Sequence, residues 1–139
     1  MINTYVRYIS FLFGCMGARL GLGLLMQSSF LYQNTTLYHI INIAIAIMGI
    51  GFIVIYLGGL RKTGIETGGK PIWWDYIRPL HGSIYLLASW FMFTKKKQNI
   101  NTAGNLIMFD AIFGLVVWYL HHFTHLNNIY VKNIINHVI

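Results

Sequence analysis

Trp73-Trp74-Asp75-Tyr76-Ile77-Arg78-Pro79-Leu80-His81 is the run on which the fold turns. Two tryptophans, an acid, an arginine, a proline and a histidine stand together in a chain with only 9% charged residues. The run lies where a charged loop passes into an apolar stretch. Tryptophan settles between headgroups and hydrocarbon, because its ring is apolar while its indole N–H needs a partner. The run therefore reads as the entry of a membrane helix, with Asp75 and Arg78 at the three-residue spacing that allows an ion pair. The uninterrupted apolar part, Leu80 to Phe93, is too short to cross alone. It becomes a crossing only with the tryptophans at headgroup level and Pro79 in the first turns, where its missing N–H matters least.

Three further apolar segments surround it. Together the four run over about residues 8–27, 37–60, 73–93 and 103–123. A helix needs about 20 apolar residues to cross hydrocarbon, and in lipid its backbone groups must pair within the segment. The composition agrees: 139 residues are 56% hydrophobic, with a mean hydropathy of +0.58, where a soluble domain carries roughly a quarter charged residues. The connections 28–36, 61–72 and 94–102 are short, so neighbours run antiparallel. The expected fold is all-α, an integral membrane four-helix up-down bundle in a single domain, 1–139. The tail 125–139 alternates Asn with Ile and Val and reads as a short interfacial helix.

The net charge of +7 suits either nucleic acid or an anionic surface. Arg7, Arg61, Lys62, Lys70, Lys95, Lys96, Lys97 and Lys132 fall at segment ends, as membrane anchors do. The partner is the lipid bilayer, and no basic stripe speaks for nucleic acid. Four crossings put both termini on one side, the cytoplasmic one by the basic bias, with the Arg61–Ile72 loop beside them. Asn34-Thr35-Thr36 then forms a glycosylation sequon in an outward loop. Arg19 interrupts the first apolar segment, which reads as a retained membrane helix and not as a cleaved signal. Cys15 is the only cysteine and forms no intrachain disulfide.

Arg19 and Asp110 are the two most costly placements, since a charge in mid-membrane is disfavoured by at least a few kcal/mol. Counting about 1.5 Å per residue, they lie roughly 16 and 20 Å from the termini-side boundary. Arginine's reach covers the difference, so an intramembrane ion pair between the first and fourth helices is expected. An interfacial polar cluster is expected from Glu66, Lys70, Trp73, Trp74, Asp75, Arg78 and His81. At about 100° per residue, Ala103, Ile107, Asp110, Gly114, Val117, His121 and His125 share one face of the fourth segment, opposite Phe109, Ile112, Val116, Tyr119 and Phe123. Asp75, Arg78, Gly82, Tyr85 and Ser89 make a matching stripe on the third. If the two stripes face each other or a shared interior, Tyr85, Ser89, Gly114, His121 and His125 line a polar path. Gly14, Gly17 and Gly21 form a small-residue ridge, with Arg19 and Gly23 nearly opposite. Two packing faces on one helix point to a homo-oligomer.

His121 and His125 have the i, i+4 spacing that can hold a metal, but no cysteine or carboxylate completes a set. His81 and His121 differ in depth, against haem ligation. No metal, cofactor or catalytic set is expected. Gly64-Ile65-Glu66-Thr67-Gly68-Gly69-Lys70-Pro71 nearly spells a phosphate-binding loop. Proline stands where Ser or Thr is required and no strand precedes it, so it reads as a flexible turn.

The segment Arg61-Lys62-Thr63-Gly64-Ile65-Glu66-Thr67-Gly68-Gly69-Lys70-Pro71-Ile72-Trp73-Trp74-Asp75-Tyr76-Ile77-Arg78-Pro79-Leu80-His81 resembles one in uncharacterised small multipass membrane proteins of large DNA viruses. Heavy use of Ile and Asn fits an AT-rich genome of that kind. The resemblance implies a viral or host internal membrane and no activity. Taken together, the residues favour a structural or interaction component of such a membrane. A proton or ion channel or small transporter using Arg19 and Asp110, with His81 and His121 on its path, is the rival. A lipid-modifying enzyme with Glu66, Asp75, His81 or His121 as acid–base groups lacks a complete nucleophile–base set.

Overall fold

The computed structural model describes residues 4–64, 67, 69 and 71–138, of which 4, 7 and 124–138 are described by backbone alone. Helix α1 (Thr4–Ile9), a π-helical stretch (Ser10–Gly17) and α2 (Ala18–Gln27) follow without a break. Ser28 leaves the helical region, and its Oγ accepts the Leu31 N–H at 3.3 Å to cap the short α3 (Ser29–Gln33). Asn34 then caps α4 (Thr35–Leu57) by accepting the Leu37 N–H at 3.0 Å, so the sequon asparagine also starts a helix. Helix α4 stops at Gly58 and Gly59, the latter at φ +60°, a conformation glycine adopts without a steric penalty.

The loop that follows is closed on itself. Ile72 N–H donates to the Lys62 carbonyl at 2.9 Å, Thr63 bridges Pro71, and the Thr67 hydroxyl donates to the Gly64 carbonyl at 2.9 Å. These bonds bring the two ends of the loop together, while Ile65, Glu66, Gly68 and Lys70 of the expected flexible turn lie outside the described residues. A 3₁₀ turn (Asp75–Ile77) leads into α5 (Arg78–Phe93), with Pro79 in its first turn. After Thr94–Lys96, α6 runs from Lys97 to Val138.

Two boundaries differ from expectation. Helix α5 has 16 residues, roughly 24 Å, against hydrocarbon about 30 Å thick. Asp75 and Arg78 hold its entry in a tight turn, and the lysines after Thr94 end it. Among the described residues, three helical stretches, Ser10–Gln27, Thr35–Leu57 and Lys97–Phe123, are long and apolar enough to cross a membrane. The separate tail helix is the second difference: α6 continues to Val138, since no glycine or proline follows Gly114 to interrupt it.

The helices pack in the order α2–α6–α5–α4. Two glycine crossings set the closeness of this packing. A Cβ on Gly104 would stand 2.8 Å from the Gly23 carbonyl oxygen, and one on Gly82 would stand 2.8 Å from that of Gly49. Backbone meets backbone there, as small residues allow between membrane helices. The ridge of Gly14, Gly17 and Gly21 is not used in this way: a Cβ on Gly14 or Gly21 meets nothing within 4 Å, and one on Gly17 meets only Leu12 of its own helix. Met26, Leu31, Ile45, Met92 and Ile107 fill the core. Phe13, Ile47, Trp90, Phe93 and Phe109 are exposed, while Arg19, Arg78, His81 and Asp110 are buried. Apolar side chains outside and ionisable ones inside is the inverse of a water-facing protein.

Candidate functional site

The Gly23–Gly104 crossing draws α2 against α6. Four residues before it on α2 stands Arg19, and six after it on α6 stands Asp110, so both lie on the same side of the crossing. Arg19 Nη1 donates to Asp110 Oδ2 at 2.8 Å. The expected pair is thus brought together, and a third member joins it. His81 of α5 bonds through Nδ1 to the other carboxylate oxygen, Oδ1, with Arg19 Nη1 3.4 Å from the same ring nitrogen. Asp110 is 0% exposed and His81 2%. One carboxylate therefore ties α2, α5 and α6 at a single point.

His81, grouped by the sequence with the interfacial cluster of Trp73 and Arg78, also joins the Arg19–Asp110 pair. It lies about one turn further along α5 than Arg78, on the side that faces α6. A carboxylate oxygen only accepts, so the proton in the His81–Asp110 bond belongs to Nδ1. In the neutral ring the lone pair is then on Nε2. The Arg19 guanidinium lies 5.7 Å from the Phe52 ring and 5.9 Å from that of Tyr85, two further partners from α4 and α5. Among the described residues no buried side-chain nitrogen or oxygen lacks a hydrogen-bond partner.

The two polar stripes do not face each other. Gly82 of α5 meets Gly49 of α4, and Ser89 Oγ donates to Asn42 Oδ1 of α4 at 2.6 Å. The α5 stripe is directed at α4, and only the adjoining face with His81 meets α6. Tyr85, buried beside Arg19, stands between the two. Gly114 leaves room for Met16 and Arg19, whose atoms would lie 3.2 and 3.5 Å from a Cβ there. His121 stacks on Trp73, rings parallel at 4.0 Å. A polar path through Tyr85, Ser89, Gly114 and His121 is therefore not assembled as one line. His125 lies outside the residues whose side chains are described.

The entry cluster comes together in part. Arg78, 1% exposed, bonds Asp75 through Nη1 and donates to the Leu60 and Arg61 carbonyls at 3.3 and 3.1 Å. Its guanidinium lies over Trp74 at 5.0 Å. It clamps the chain leaving α4 to the start of α5. Glu66 and Lys70 fall outside the described residues. Tyr38, which the sequence did not single out, is buried and donates its hydroxyl to the Met92 carbonyl at the far end of α5. Nothing in its setting distinguishes it from other aromatic residues of α4.

Among the described residues, no three His, Cys, Asp or Glu side chains stand where they could hold one metal ion. Helices α2 and α4, at the two ends of the packing order, flank a cleft of about 560 Å³ bordered by Arg19. No protein-family model, no curated protein and no solved structure matches the chain significantly, so its function is read from this site alone.

Proposed function

We propose that the chain is an integral, multi-pass membrane protein that serves as a structural and interaction component of an internal or viral membrane. The observation that carries this reading is Asp110, fully buried and sharing its two oxygens between Arg19 and His81. Its charge is spent on holding three helices, and the helices turn apolar residues outward. Breaking such a group from one side is costly, whereas the intact group adds little net stability, which suits a device for specifying one packing. Helix α5, extended by its 3₁₀ turn and the Trp73–Trp74 step, makes the fourth crossing of an up-down bundle. Both termini then lie on the cytoplasmic side.

A proton or ion conductor is the second reading, favoured by the Arg19 border on the cleft between α2 and α4. Proteoliposomes loaded with a pH-sensitive dye separate the two. The structural reading predicts proton flux no greater than in empty vesicles, for the wild type and Asp110→Asn alike. Flux in the wild type that Asp110→Asn abolishes, in protein that still reconstitutes, would establish the conductor instead.

A further inference from the structure

The cleft between α2 and α4 has the form of a lipid site. It is lined by Gly14, Ala18 and Leu22 on one wall and by Met48, Gly51 and Ile55 on the other. Toward the end of α4 it continues past Ser10 and Phe11 to Trp74, with Arg61 at that mouth. From Ser10 to Leu22 the wall is at most roughly 18 Å long, since its π-helical part rises less per residue than an α-helix, about the depth of one leaflet of a bilayer whose hydrocarbon is about 30 Å thick. The surface is apolar along its length, with the Arg61 side chain at the mouth. No acidic side chain among the described residues lines it.

Arg19 supplies the second observation. Its side chain is 8% exposed. Nη1 is taken by Asp110, while Nε and Nη2 make no hydrogen bond among the described residues. Arg19 borders the cleft partway down its wall. Among the described residues no fully buried side-chain nitrogen lacks a partner, so Nε and Nη2 of Arg19 reach the surface, and in lipid they call for an acceptor that the described residues do not provide. Gly14 and Gly51 agree, because a Cβ on either would meet nothing within 4 Å. Unlike Gly23 and Gly82, they are not required by any helix crossing. They keep open a space that the protein leaves unfilled.

We propose that this cleft binds one anionic phospholipid from the surrounding leaflet. The phosphate lies at Arg61 beside Trp74, the glycerol ester oxygens accept from Arg19, and an acyl chain runs along Ala18, Leu22, Met48 and Gly51. Basic residues between membrane helices bind anionic headgroups in this way. The inference rests on the membrane reading above and goes beyond it by naming the ligand class.

The test is native mass spectrometry of the full chain, released from detergent micelles doped with dioleoyl phosphatidylglycerol or with dioleoyl phosphatidylcholine. Arg19 is left intact, since it also holds the triad. The wild type is expected to retain one phosphatidylglycerol under conditions that strip phosphatidylcholine. Gly51→Leu, which fills the cleft, lowers that retention about tenfold, and Arg61→Gln brings the two lipids to parity. Gly21→Leu, at a position that does not line the cleft and where a Cβ meets nothing within 4 Å, leaves retention unchanged. Equal retention of both lipids by the wild type would overturn the site, as would undiminished phosphatidylglycerol in Gly51→Leu. Inorganic phosphate displacing the lipid without effect from Gly51→Leu would likewise overturn it, by showing a plain anion contact. A protein monodisperse in detergent-free buffer would instead sink the membrane reading itself.

Discussion

Arg78 carries two tasks that lysine cannot share. Its planar fork reaches the Asp75 carboxylate and the carbonyls of Leu60 and Arg61, and its flat face lies over Trp74. A lysine is a single point of charge without that geometry. Arg78→Gln removes the charge-assisted bonds and leaves carbonyls of the α4 exit without a donor. A loss of about 1.5–3 kcal/mol is expected, read as a lowered unfolding midpoint in detergent. Arg78→Lys should recover only a minor part of it. The same reasoning explains why some residues were legible in the sequence and others not. An isolated charge in mid-membrane must find a partner, and counting depth led from Arg19 to Asp110. Histidine is under no such compulsion, because its neutral form tolerates either the interface or the interior. His81 therefore gave no signal that separated the headgroup region from the triad.

At the scale of elements, the glycines divide into two kinds that spacing does not distinguish. Gly23, Gly49, Gly82 and Gly104 sit where backbones touch, whereas Gly14 and Gly21 face open space. Gly82→Ala places a methyl 2.7 Å from Ile53 Cγ1 and 2.8 Å from the Gly49 carbonyl oxygen. It should separate α4 from α5 at a cost of about 1–3 kcal/mol. Gly21→Ala, with nothing to meet, should be neutral or slightly stabilising. Thermal midpoints of the two variants in the same detergent check the contrast. A small-residue ridge can be found from sequence, but which neighbour uses it depends on helix rotation, and here the ridge of Gly14, Gly17 and Gly21 faces away from the crossings. The α5 stripe failed for a related reason. Faces on one helix lie close together, so Arg78, Gly82 and Ser89 serve α4 while His81, beside them, serves α6. Helix type and approximate extent were clear from apolar runs. The continuation of α6 past Phe123 was not, because alternating Asn and Ile suits helix and strand alike.

For the molecule as a whole, charge inside and apolar surface outside were legible from composition, and the number of crossings rests on α5. Its 16 residues cross only with the turn that precedes them. Four crossings predict that reporter tags on the two ends map to one compartment; opposite compartments would mean three. What makes the helices one unit is the shared carboxylate of Asp110. A double-mutant cycle on Arg19 and Asp110, followed by unfolding midpoints in mixed micelles, tests this most directly. Arg19→Met and Asp110→Leu each strand a buried charge or its partner and should cost about 3–5 kcal/mol. The double variant strands neither charge, leaves only the His81 ring nitrogen without its acceptor, and should recover the greater part of the summed single losses while still costing about 1–3 kcal/mol. If the double variant instead loses the sum of the two single losses, the two residues are not coupled and Asp110 is not the joint of the bundle.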